Sequence, residues 1–171
     1  GARSFFCLVM SPELAKRHLL HANEIAHQAV AEGHHPFGAV LVGPDQTTIL
    51  IEQVNISPVR HAESTLLLRI ENECEFSPDQ RWQCTLVTTV EPCAMCAATM
   101  YWSNVGNLVY GMEETKLLAL TGNHPENPTM SLPCREVFSR GQKDIKVQGP
   151  FKELSELLMR PHHDFWHQAG Q

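Results

Sequence analysis

The sequence predicts an α/β fold, a sheet with helices on both faces, and three observations carry that prediction. The first is the order of elements: a helix, a hairpin, then helices and strands in alternation. The second is the run Phe-Gly-Ala-Val-Leu-Val at residues 37–42, apolar almost throughout, as a strand covered on both faces requires. The third is a mostly small apolar stripe, Ala15, Leu19, Ala22, Ala26 and Ala29. Its steps of three and four residues put it on one side of a helix that can lie close to that strand.

The opening helix starts with Ser11 as N-cap and Pro12 in its first turn, and it stops at Gly33. Residues 37–42 and 47–54 follow as two strands, with Gly43-Pro44-Asp45-Gln46 supplying turn chemistry between them. Residues 62–72 read as a helix with Leu66, Leu67 and Ile70 inward, 86–90 as a third strand and 94–102 as a third helix. A fourth strand at 108–111 and a short helix at 113–120 come next. Residues 121–133, rich in Pro, Asn, Gly and Thr, form a loop of a length that commonly has a task, and 121–144 as a whole fits a lid, an interface or a connection. Residues 134–140 are weakly helical, 145–147 offer a fifth strand, and 151–159 open a C-terminal helical segment. Residues 1–10 read as a tag or a disordered N-terminus, and 11–171 as one domain with a helical tail.

At 171 residues the chain can bury a sizeable core without staples. With 13 Lys and Arg against 19 Asp and Glu the net charge is −6, which counts against a surface built to wrap a polyanion. No apolar run approaches the roughly 18 residues of a membrane span. Six cysteines and ten histidines are the unusual counts. Cys7, Cys74, Cys84 and Cys134 fit no small-scaffold disulfide pattern, so buried thiols in a reducing compartment, the cytoplasm, are expected. His34, His35, His162, His163 and His167 read most simply as solvated or capping residues.

Two motifs carry chemistry, and both open predicted helices: His61-Ala62-Glu63 and Pro92-Cys93-Ala94-Met95-Cys96. Cysteines three apart at a helix start can turn both sulfurs to one side, where the positive end of the helix favours thiolates. His61 completes three protein ligands. Three, rather than four, distinguish a catalytic zinc, because the open position takes a water and lowers its pKa. Glu63, two residues beyond the His, is placed to take that water's proton, pass it to a ring nitrogen and then protonate a leaving amine. His-x-Glu followed by Pro-Cys-x-x-Cys is the zinc deaminase pattern. Four-fold coordination through Cys84 would defeat this reading.

With Phe37-Gly38-Ala39-Val40, the His61 motif and Thr88-Thr89-Val90-Glu91-Pro92-Cys93-Ala94-Met95-Cys96 in place, the sequence resembles the cytidine deaminase-like superfamily from about Ser11 to Leu120. Within it the branch of guanine deaminases and tRNA adenosine deaminases is the nearest in pattern. The resemblance implies a three-layer α-β-α sandwich around a five-stranded mixed sheet, its last two strands parallel if a helix links them. It also implies Zn²⁺ on His61, Cys93 and Cys96, proton transfer by Glu63, and a homodimer.

Substrate contacts follow from the same resemblance. Asn55 matches an amide that hydrogen-bonds a base or ribose, Phe37 and Trp102 would pack the ring, and the backbone at Ala62 and Glu63 would meet the base edge. Met100-Tyr101-Trp102 is similar to the guanine deaminase pattern and favours a small nucleobase or nucleoside over nucleic acid. Where guanine deaminases carry an Asp after the fourth strand this chain has Lys116, leaving Glu113 or Glu114 as the acceptor, and Arg60 before the His is a second departure. The aromatic tail around Phe165 and Trp166 suits either closure over the site or anchoring of a helix. The alternatives are a tRNA wobble adenosine deaminase, a cytosine-type deaminase, and a zinc-retaining binding protein of the same fold. A structural role alone has no use for Glu63.

Overall fold

The computed structural model describes residues 9–168. Helix α1 (Pro12–Ala31) begins where Ser11 Oγ accepts the amide of Leu14, and it buries Ala15, Leu19, Ala22, Ala26 and Ala29 as the stripe required. Strands β1 (Gly38–Val42) and β2 (Ile49–Val54) form the hairpin. β2 starts later than Thr47 because Asp45 Oδ1 accepts the amides of Thr47 and Thr48 and holds both in the turn. Then come α2 (Ala62–Glu73), α3 (Pro78–Gln83), β3 (Thr85–Val90), α4 (Ala94–Trp102), β4 (Asn107–Met112), α5 (Glu114–Thr121), α6 (Cys134–Ser139), β5 (Lys146–Gln148) and α7 (Ser155–Gln168).

The sheet order is β2-β1-β3-β4-β5, antiparallel through β2, β1 and β3 and parallel through β3, β4 and β5. The five-stranded mixed sheet is therefore as expected, with α5 and α6 in the crossover between the parallel β4 and β5. Alternation along the strands sorts the core into two layers. Ala39, Leu41, Leu86 and Leu108 pack with Leu66, Leu67 and Ile70 of α2, Ala97 and Met100 of α4 and Phe138 of α6. Val40, Val42, Val87 and Val109 pack against Ala15, Leu19, Ala22 and Ile25 of α1. A third cluster, Val90, Met112, Leu117, Met159 and Trp166, joins the C-terminal ends of β3 and β4 to α5 and α7.

Gly38 is where α1 and the sheet meet most closely. A Cβ there would fall 2.4 Å from the Ala22 carbonyl oxygen and 2.5 Å from the Ala26 nitrogen, so no side chain is accommodated.

Two expectations need correction. Residues 1–8 lie outside the described residues, but Met10 is only 3% exposed and its carbonyl accepts Gln148 Nε2 at 2.9 Å, so the packed fold begins before Ser11. Helix α3 was not anticipated, although Ser77 and Gln80 form a reciprocal capping box with Pro78 in the first turn. The helical segment that residues 151–159 open runs on, as expected, through Pro161 to Gln168. The five cysteines in the described residues are free thiols. No helix among those residues is long and apolar enough to cross a membrane.

Candidate active site

The centre is built where two helices begin. His61 and Cys93 are the N-caps of α2 and α4, positions that usually hold Ser, Thr, Asp or Asn, yet neither side chain makes a capping hydrogen bond. Both turn instead to a common point. His61 Nδ1 lies 3.6 Å from Cys93 Sγ and 3.6 Å from Cys96 Sγ, and the three donor atoms all fall within 4.8 Å of one another. A tetrahedral zinc with ordinary Zn–S and Zn–N bonds separates its S and N ligands by about 3.5 Å, so this donor set fits that ion.

Electrostatics suit a cation as well. The Cys93 thiol is drawn down to about 4 by its hydrogen bond with Cys96, followed by that with His61. Cys96, sharing that hydrogen bond and buried, is pushed up. His61 is raised by its hydrogen bond with Cys93. Cys84 does not join them; it is buried at the end of α3, donating to the Gln80 carbonyl at 3.4 Å.

Glu63 stands beside the cluster in the first turn of α2 and is 4% exposed. Its Oε1 accepts from Thr88 Oγ1 at 3.4 Å and its Oε2 from Cys96 Sγ at 3.8 Å. Burial pushes its pKa up, the state in which a carboxyl group can both take and return a proton near neutrality.

A cavity of about 280 Å³ opens over this cluster, lined by His61, Glu63 and Cys93 together with Phe37, Asn55 and Glu114. Asn55 is 3% exposed, and its backbone N–H donates to the Phe37 carbonyl at 3.1 Å, which fixes these two cavity residues to each other. Glu114 is pushed up to about 7 by burial and then by the nearby Glu63. Its backbone amide donates to Glu91 Oε1 at 3.4 Å, while Glu91 Oε2 accepts the amide of Cys134 at 2.9 Å. One buried carboxylate at the end of β3 thus ties down the starts of both α5 and α6.

Three anticipated contacts are placed elsewhere. Trp102 is 80% exposed at the far end of α4 and does not line the cavity, because the face of α4 that reaches the core is the one bearing Cys96, Ala97 and Met100. Glu113 is the N-cap of α5, with its carbonyl accepting from Lys116 and Leu117, and it too lies outside the cavity lining. Ala62 is fully buried among the core residues under α2. Lys116 is exposed.

The cavity also has members that sequence reasoning passed over: His35, Glu91, Met95 and, from the 121–133 loop, Glu126, Asn127 and Met130. His35 follows a helix-terminating glycine, where a histidine looks solvated. Glu126 is tied to the site only by the loop's return. His162, expected at the surface, is fully buried.

The comparisons agree with this geometry. Residues 12–112 match the family model of the cytidine and deoxycytidylate deaminase zinc-binding region. The Schizosaccharomyces pombe protein named probable cytosine deaminase is 29% identical over 165 residues, 91% of this chain and 96% of its own length. Guanine deaminase of Bacillus subtilis is 36% identical over 85 residues, 47% of this chain and 52% of its own. A solved structure of guanine deaminase from Nitrosomonas europaea superimposes with a TM-score of 0.65 at 19% identity, over 96% of this chain and 94% of that one. The expected fold and superfamily are both met, and the chain belongs to the cytidine and deoxycytidylate deaminase zinc-binding family.

Proposed function

We propose that the protein is a zinc-dependent hydrolase that removes the exocyclic amino group of a free guanine-like purine as ammonia. The observation that carries this reading is the position of Glu63, buried between a three-ligand group and a cavity of nucleobase size. His61, Cys93 and Cys96 hold the ion, which when bound supplies Lewis acidity that brings the pKa of a water close to neutrality. Glu63 takes the proton from the attacking water at a carboxylate oxygen and delivers it to a ring nitrogen. It then takes the remaining hydroxyl proton of the tetrahedral adduct and passes it to the amine, which departs as ammonia while the carbonyl forms. Phe37 packs the ring and Asn55 donates to it. Guanine presents ring N–H donors beside its one exocyclic amino group, and the cavity places the carboxylates of Glu114 and Glu126 to accept from them.

A cytosine-type substrate is the second reading, favoured by the Schizosaccharomyces pombe relative, which this chain matches over nearly its full length. Ammonia release measured over guanine, guanosine, adenine, adenosine, cytosine, cytidine and a tRNA anticodon stem-loop, with zinc determined in the same sample, separates these. Release from guanine supports the proposal; release from cytosine alone or from the stem-loop alone overturns it.

The homodimer and the cytoplasmic, single-domain setting belong to the same proposal. Val59, Leu68, Met95 and Trp102 are exposed apolar side chains, and three of them, Val59, Leu68 and Met95, share one groove between α2 and α4. Such a contiguous patch marks an interaction surface. Trp102 then serves subunit pairing instead of the substrate. Free thiols fit a reducing compartment.

A further inference from the structure

We propose that Trp166 of α7 is a positioning residue for the carboxylate of Glu126, acting through two imidazoles, His35 and His124. The inference rests on the reading of the cavity as the substrate site, and it assigns the C-terminal helix a part in shaping that site.

Trp166 is 4% exposed and packs with Val90, Met112, Leu117 and Met159. Two histidine rings from different parts of the chain stand edge-on to it. His35, from the connection after α1, lies at a centroid distance of 5.0 Å and an angle of 69°. His124, from the loop after α5, lies at 5.0 Å and 67°. Both then hold Glu126. His35 Nε2 is 3.6 Å from Glu126 Oε2, and His124 Nδ1 accepts the Glu126 backbone amide at 3.2 Å. Side chain and backbone of a single loop residue are therefore gripped by two rings that share one indole as their support.

The indole is itself fixed. Its Nε1–H donates to His162 Nδ1 at 3.0 Å, in full burial. That bond sets the His162 proton on Nε2, and the ring stands edge-on to Phe37 at 5.1 Å. Phe165 backs His35 from the same helix at 5.4 Å. The loop closes through Asn127, whose Nδ2 donates to Thr121 Oγ1 and Thr129 Oγ1 at 3.2 and 3.3 Å.

A glutamate on a loop, its side chain 56% exposed, would otherwise sample many rotamers. Holding it against the cavity needs a support that is buried and rigid, and Trp166 provides one. The titratable groups facing His35 are Glu126, His124 and His61. Burial lowers the His35 pKa and the neighbouring Glu126 carboxylate opposes that shift.

The test is a double-mutant cycle on the zinc-loaded protein with guanine as substrate. Trp166→Leu and Glu126→Gln should each lower kcat/KM by about tenfold, and the double variant should be no worse than Glu126→Gln alone. Trp166→Phe, which keeps a ring face for both imidazoles, should recover most of the loss, with zinc content unchanged throughout. Multiplicative losses would show that Trp166 does not act through Glu126. If Trp166→Leu fails to fold, the cycle is run with His35→Leu and read the same way. If the wild type releases no ammonia from guanine, the functional reading fails, and the pairing is decided by NMR titration of the His35 ring. Glu126→Gln should lower its midpoint; an unmoved His35 overturns the proposal.

Discussion

His61, Glu63, Cys93 and Cys96 come from two short stretches at two helix starts, whereas His35, Glu114, Glu126 and Trp166 come from four separate parts of the chain. Both groups meet around one cavity, but they are held there by different means. The first is placed by local backbone geometry: a helix N-terminus aims successive side chains, and residues one turn apart share a direction. The second is placed by long-range packing, α7 folding back over β4 and the 121–133 loop folding back onto α7. Chemistry is thus written in contiguous motifs, while the shape of the cavity is a property of the whole fold.

Breaking the first group should have the largest effect. Cys93→Ala leaves two protein ligands, and we expect zinc content to fall sharply and ammonia release to drop by at least about 10³-fold. Parallel metal and turnover measurements check this. Full turnover with bound zinc would erase the distinction between the two groups.

The next effect falls on the packing that carries the second group. Gly38→Ala forces a methyl group into the backbone of α1, and a loss of about 1–3 kcal/mol of stability is expected in denaturant unfolding. His162 offers a milder probe. Its pKa is lowered by burial to about 3, from an ordinary 6.5. Between those values the unfolded chain binds the extra proton, so stability is fully present above about pH 6.5 and falls as the pH drops toward 3. This one group contributes up to about 1.4 kcal/mol per pH unit. His162→Gln keeps an acceptor for Trp166 and should flatten that part of a melting-temperature profile between pH 4 and 7. Least affected should be stability on replacing Trp102. Trp102→Ser changes it by no more than about 0.5 kcal/mol, while sedimentation should show weaker self-association if the proposed dimer uses this residue.

The division between the two groups also explains what could be read in advance. The element order, the sheet and the two motifs bearing His61, Glu63, Cys93 and Cys96 were legible, because each is written in residues near one another in sequence, although only the fold brings the two helix starts together. The exposure of Trp102 was not, because periodicity alone does not say which face of α4 meets the sheet. Glu126 was hidden because only the return of a long loop brings it to His35. Helix α3 carried an N-terminal signal in Ser77-Pro78, but its six residues bury no side chain and so gave no apolar period to detect.

Everything turns on Glu63, a buried carboxyl group that the fold alone does not need. The most direct measurement is turnover and zinc content of Glu63→Gln beside the wild type, on the base that the wild type deaminates. Zinc should be retained in both, with ammonia release lowered by about 10²–10⁴-fold in the variant. Unchanged release with zinc in place would contradict the proton-transfer role and, with it, the deaminase mechanism.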